Sequence, residues 1–245
     1  MPDFTQHRYA LSETVCKHFG YQVQLGPFAG LKIDPESSWS AADRGSMVLG
    51  LYEAPVLDCL TQLCNRGRPL IDVGAADGYY AIGALVGGVS PYCACFEESE
   101  RGQQVIRMNA AKNGVSDQIE IFGKADGRFL EQLPPRAWRE DQPSVFLFDI
   151  EGGEFDLLTD EFLSRIHRSY AIVELHEPPG LHVSRTQNLV TRARQHFQVE
   201  LLEGGPRDPS TIPYLRDWND DDRWLLMSES RAYAMKWLVL RPKTQ

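Results

Sequence analysis

Hydrophobic positions change their rhythm near residue 52. Beyond it, short apolar runs of strand length alternate with segments whose apolar residues recur every three or four positions, the mark of strands alternating with amphipathic helices. "APVLDCLTQLCN" (54–65) predicts a helix, "PLIDV" (69–73) a strand and "GYYAIGALVGG" (78–88) a helix starting just past Gly78. "PYCACFE" (91–97) is a second strand, followed by a helix over "SERGQQVIRMNAAKNG" (99–114), which Asn113-Gly114 stops. "QIEIFG" (118–123) and "SVFLFDI" (144–150) are further strands, with a short helix, "GRFLEQL" (127–133), between them. One helix is expected over "EFDLLTDEFLSRIHR" (154–168), then a strand over "YAIVELH" (170–176). A helix over 185–197, a strand over "QVELLEG" (198–204) and a last strand over "AMKWLVL" (234–240) complete the series. Such alternation predicts a mainly parallel sheet with helices on both faces. Ligands of these folds bind outside the carboxyl ends of the strands, near the point where strand order reverses.

The first fifty residues read differently. "ALSETVCKHFG" (10–20) predicts a short helix ending at Gly20, and "YQVQLGPFAGLKI" (21–33) a hairpin or bent ribbon around Gly26-Pro27 and Gly30. "DPESSWSAADRGS" (34–46) is loop-like. We therefore expect an N-terminal cap over residues 1–50 and a ligand-binding domain over 51–245, with no internal repeat.

The 245 residues, 42% of them hydrophobic, suffice for one sizeable core. A net charge of −9 argues against broad nucleic-acid binding, so no nucleic-acid partner is expected. No apolar run approaches the ~18 residues of a membrane span, and the N-terminal segment lacks the apolar stretch of a secretory signal. The five cysteines (16, 59, 64, 93 and 95) include no C-x-x-C pair, which fits reduced core residues and a cytoplasmic location.

Candidate chemistry gathers at the strand ends. "IDVGAADGYY" (71–80) places Asp72 ahead of Gly74 and Gly78, a turn through which a ligand approaches backbone N–H groups. A dinucleotide fingerprint would carry a second glycine two residues after Gly74; its absence disfavours a pyrophosphate and suits an aminoacyl carboxylate. A plain strand-to-helix turn explains the same residues. Glu97, a little over twenty residues further on, suits a ribose diol, or merely the start of a helix. Asp126 in "GKADGRF" suits an adenine amino group, or a simple turn.

These motifs, with "FDIEGGEFDLL" (148–158) and "IVELHE" (172–177), resemble class I S-adenosylmethionine-dependent methyltransferases over residues 50–180. The pattern D-x-E-G-x-E followed by a strand ending E-x-H is most similar to the FkbM-like group. "EGGE" replaces the commoner "EGAE", and Ala232 stands where proline is usual. The resemblance implies a Rossmann-like sheet, mostly parallel with an antiparallel last strand. It also implies that Asp72, Gly74, Ala75 and Gly78 hold the methionine half of S-adenosyl-L-methionine and Glu97 its ribose. Asp126 and Asp149 belong to the same cofactor site, and Tyr52, Tyr79 and Tyr80 line it. The expected reaction is O-methylation of a small molecule or saccharide.

A hydroxyl acceptor needs a base, or a metal that lowers its pKa. Asp149 and His176 end neighbouring strands, and Glu174 shares the parity of His176. One reading makes His176 the general base, oriented by Asp149 or Glu151. The other makes Asp149, His176 and a further acid the ligands of a divalent cation, with histidine shifting the choice from magnesium toward manganese, iron or zinc. Glu154 is read as a helix-start acid. His167, His182 and His196 are read as surface residues, "DWNDDDR" (217–223) as a solvated turn, and Glu229 with Arg231 as an ion pair or an acceptor contact. Trp39, Trp218, Trp224 and Phe28 are candidates for an apolar lid. The cap and residues 203–232 are expected to form the acceptor pocket, and the cap to pair two subunits. The rival readings are a nicotinamide-dependent oxidoreductase and a non-catalytic cofactor-binding partner protein.

Overall fold

The structure is a computed structural model that describes residues 3–35, 41–178, 180, 184–205, 207–231 and 233–243. Five strands run parallel: β1 (Leu70–Val73), β2 (Cys93–Phe96), β3 (Ile119–Phe122), β4 (Val145–Phe148) and β5 (Tyr170–Glu174). β6 (Phe197–Glu203) and β7 (Lys236–Pro242) finish a sheet of order β3-β2-β1-β4-β5-β7-β6, with β7 antiparallel to both neighbours. The expected mixed sheet with an antiparallel last strand is thus present. β1, β2 and β4 are buried along their whole length, which is why they read as continuous apolar runs and not as alternating ones. Chain order reverses on the two sides of β1, so the ends of β1 and β4 mark the crevice.

Helices cover both faces. α3 (Ala54–Cys64), α4 (Tyr79–Val86) and α5 (Glu100–Lys112) contribute to one cluster of buried residues; α6 (Glu154–Leu157), α7 (Asp160–Arg165) and α8 (Arg185–His196) contribute to the other. The single helix expected over 154–168 is broken, because Leu158 leaves helical geometry and Thr159 caps a new start by accepting the Phe162 N–H at 3.2 Å. The segment 127–133 forms only a 3-10 turn, Phe129–Gln132.

The cap is assembled from both ends of the chain. α1 (Phe4–His18) packs on α2 (Arg44–Val48) and on α9 (Asp220–Met227), and His7 Nε2 lies 2.6 Å from Asp222. The acidic run expected to be a solvated turn is instead the opening of α9. Asn219 caps it by accepting the Asp222 N–H at 2.9 Å, and three aspartates fill the turn where the helix dipole favours them. The ribbon 21–33 is tied by Val23 N–H to the Leu31 carbonyl and Ile33 N–H to the Tyr21 carbonyl. At its tip Phe28 is fully buried against Gly83 of α4, where an added Cβ would lie 2.3 Å from the ring. Phe28 is therefore core and not lid. Trp218 packs on the core, Trp224 is half exposed, and Trp39, His182 and Ala232 lie outside the described residues. All five cysteines are buried and free. Among the described residues no helix is long and apolar enough to cross a membrane.

Candidate functional site

The turn after β1 and the turn after β4 touch. Gly74 has φ +94°, and a Cβ there would sit 1.8 Å from the Asp149 carbonyl oxygen, so only glycine fits. Ala76, two residues on, holds φ +49°, the left-handed geometry that the missing second glycine would have adopted freely. Its N–H donates to Glu97 Oε2 at 2.9 Å, which ties the first strand end to the second.

Two connected hollows meet at these turns. The larger, about 850 Å³, is lined by Glu97, Ser99, Lys124, Ala125, Arg128, Ile150 and Phe162. The smaller, about 60 Å³, lies under the cap between Tyr52, Ala75, Gly78, Tyr79, Leu31 and Arg44. Gly74, Ala76, Asp77 and Asp149 line both, so one elongated ligand can run through. A nucleoside fits the larger hollow, with Glu97 at its edge. An amino-acid tail fits the smaller, whose Arg44 from the cap supplies a cation for a carboxylate. The chemistry of the lining therefore suits S-adenosylmethionine.

Eight of the expected cofactor residues line these hollows: Tyr52, Gly74, Ala75, Gly78, Tyr79, Tyr80, Glu97 and Asp149. Asp72 does not. It lies within β1, 1% exposed, and faces the first turn of α4, where its carboxylate meets the Ala81 N–H. Burial pushes its pKa up to about 7. Asp126 also stays out: it is exposed and accepts the Arg128 N–H at 2.8 Å, the simple-turn alternative. Tyr80 likewise lines the smaller hollow, with its hydroxyl donating to Glu53.

At the open end the carboxylates converge on one imidazole. His176 Nε2 lies 3.5 Å from Asp149 Oδ1, 3.5 Å from Glu151 Oε2 and 3.7 Å from Glu174 Oε2. Its Nδ1 lies 3.4 Å from Glu154 Oε1. Glu154 is a correction. Glu151 and Gly152 both adopt positive φ, and this tight turn sends the Glu154 side chain inward, where it is fully buried. Its two oxygens accept the backbone N–H groups of His176 and Gly152, each at 2.9 Å. It opens α6 as expected, but it also locks the loop carrying His176. Burial works against a charged His176 ring, but the Glu154 carboxylate beside it and the other surrounding carboxylates outweigh it and raise the pKa. Burial, then the Glu174 charge, push the Asp149 carboxyl well above its ordinary range.

Behind this cluster lies an ion network that sequence reasoning saw only in part. Arg231 bonds to Glu174 and Glu229, and to Glu53 at 2.5 Å. Arg207 bonds to Glu229 and covers the Tyr52 ring at 4.7 Å. The Glu229–Arg231 pair is present as anticipated. Glu53 went unnoticed, although an acid beside the apolar Leu51-Tyr52 and ahead of a helix starting Ala54-Pro55 was its signal. His167 is exposed, and His196 pairs with Asp160 at 2.9 Å on the surface.

No family model matches the chain. A curated relative, the ribosomal protein L11 methyltransferase of Tolumonas auensis, is 34% identical over 94 residues, 38% of this chain. The chain spans about a quarter of that relative's length, 27%. Among solved structures, cofactor-bound Rv0187 from MTB aligns with 86% of this chain and 100% of its own, at 14% identity and TM-score 0.51. The M1A22 tRNA methyltransferase TrmK of B. subtilis aligns over 76% of this chain and 64% of its own, at 10% identity and TM-score 0.47. TrmK of M. capricolum, solved with S-adenosyl-homocysteine, covers 76% of this chain and 67% of its own, at 10% identity and TM-score 0.48. The expectation of a small-molecule or saccharide acceptor with nucleic acid excluded is corrected by these likenesses, because a tRNA-modifying enzyme stands among them. Net charge was a weak ground for that exclusion, since it says nothing of local surface. Sheet order, the antiparallel β7 between β5 and β6, and the alignment with Rv0187 give the chain a Rossmann-like fold.

Proposed function

We propose that this chain is an S-adenosylmethionine-dependent methyltransferase whose acceptor enters beside Asp149 and His176. The carrying observation is the continuous hollow from Glu97 through Gly74 to Tyr52, which opens at the carboxylate–imidazole cluster. S-adenosylmethionine supplies the methyl electrophile when bound. The chain's own residues then orient the acceptor and take its proton, work that suits a hydroxyl or another proton-bearing nucleophile. The FkbM-like reading is supported by Asp149, Glu151, Glu154, Glu174 and His176, scattered in sequence, meeting in one cluster.

A nicotinamide-dependent oxidoreductase is not favoured. Its usual strand order is 3-2-1-4-5-6, without the inserted antiparallel β7 seen here, and the turn lacks the second glycine. Titration calorimetry separates the two: S-adenosylhomocysteine is expected to bind and NADH not to. Glu97→Ala should weaken S-adenosylhomocysteine by about tenfold to a hundredfold through loss of two hydrogen bonds to a charged acceptor. NADH binding without S-adenosylhomocysteine binding would overturn the reading. Acceptor assays with labelled S-adenosylmethionine should include RNA, which the corrected expectation would have left out.

A further inference from the structure

The cluster at the mouth of the site gathers more carboxyl groups than it has cationic partners. Asp149, Glu151, Glu154, Glu174, Glu53 and Glu229 face Arg231 and Arg207. Arg231 is committed to Glu53, Glu174 and Glu229, and Glu154 to two backbone N–H groups. That leaves Asp149 and Glu151. Among the described residues, the only side chain of opposite charge paired with either is the His176 ring.

We propose that Asp149, Glu151 and His176 form a divalent transition-metal site, with Nε2 as the nitrogen ligand, which holds the acceptor during methyl transfer. The role in transfer rests on the methyltransferase reading; the site itself does not. Ligand atoms of the three residues lie within 4.8 Å of one another. Two ligands each about 2.1 Å from one ion sit up to about 4.2 Å apart, so the 3.5 Å separations of Nε2 from each carboxylate fit a shared cation.

Glu154 is the second observation. It is fully buried and stands 3.4 Å from Nδ1, on the side of the ring away from the other two acids. Although Nδ1 makes no hydrogen bond in this structure, a carboxylate this near the far nitrogen favours a proton there, the tautomer that leaves Nε2 with a free lone pair, as behind metal-bound histidines. Three protein ligands leave positions open, and Glu151, with a side chain 68% exposed, places them toward solvent and an entering acceptor. One imidazole with two carboxylates selects manganese, cobalt or zinc over magnesium, which prefers oxygen ligands and keeps its water. The same geometry matches the metal alternative left open in the sequence and gives it a third ligand, Glu151.

The test is calorimetry and visible absorption of chelator-treated protein titrated with Mn²⁺, Co²⁺, Zn²⁺ and Mg²⁺, with S-adenosylhomocysteine binding measured alongside. One equivalent of Mn²⁺, Co²⁺ or Zn²⁺ should bind, Co²⁺ with d–d bands, and Mg²⁺ far more weakly. Glu151→Gln, on an exposed side chain, should abolish uptake while S-adenosylhomocysteine still binds; His176→Ala should do the same. Glu154→Gln should weaken the metal about tenfold to a hundredfold. Stoichiometric binding unaffected by Glu151→Gln and His176→Ala would overturn the site, as would no uptake of any of the three metals by protein that binds S-adenosylhomocysteine. Metal uptake without S-adenosylhomocysteine binding would instead overturn the proposed function and leave the site standing.

Discussion

A carboxyl group enclosed between strand and helix, as Asp72 is, couples the fold to pH. Burial raises its pKa to about 7, against about 3.9 for an aspartate in water. The folded chain then holds the proton more tightly than the unfolded chain, so stability falls as pH rises from about 4 to about 7. Asp72→Asn removes that dependence. Relative to the parent, its melting temperature should gain several degrees on going from pH 4 to pH 8, read by scanning calorimetry. A difference constant across that range would refute the buried-acid account. Asp72 shows how a site motif misleads: it precedes Gly74 as a ligand residue would, but in β1 alternate residues face opposite sides, and Asp72 is turned toward α4.

Among elements, the segment between α9 and β7 matters through one residue. Arg231 bonds to Glu53 ahead of α3 and to Glu174 at the end of β5, whose side chains are 6% and 2% exposed. Removing the guanidinium leaves two buried carboxylates facing each other, which costs about 3–5 kcal/mol. Arg231→Met should lower the melting temperature by about 10 °C, and Glu53→Gln in the same chain should recover part of the loss. Additive effects of the two substitutions would argue that the groups do not interact.

The elements themselves were largely legible, because helix-covered parallel strands leave unbroken apolar runs and their helices leave a 3.6-residue period. What failed to show was direction. The run "DIEGGEFDLL" signals acids and a turn, but whether Glu154 faces water or core depends on the positive φ of Glu151 and Gly152, which residue types do not announce. The acidic "DWNDDDR" carried its own helix signal in Asn219, overlooked because a charge run looks like solvated loop. Arg231 and Glu53 are 178 positions apart in the chain, a separation at which local patterning is silent.

For the whole molecule, the cofactor hollow is shared between sheet and cap. Binding of S-adenosylhomocysteine should slow amide exchange at the Lys124–Arg128 loop and at Leu31–Ile33 and Arg44–Met47 together, although these regions lie on different walls. Hydrogen-exchange mass spectrometry reads this directly. Protection confined to one wall would show that the smaller hollow takes no part in binding.

β7 has a consequence for how the molecule comes into being. It is the last strand in chain order, yet it lies inside the sheet, between β5 and β6. While the chain emerges from the ribosome, β5 and β6 have no common neighbour, and Arg231 has not yet reached Glu53 and Glu174. Five parallel strands can assemble early, but the ligand-binding end stays open and charged until the final strand slides in. Folding of this protein cannot be completed before β7 has been made, and a ribosome-stalled fragment ending before Lys236 should be caught by chaperones before it can catch its cofactor.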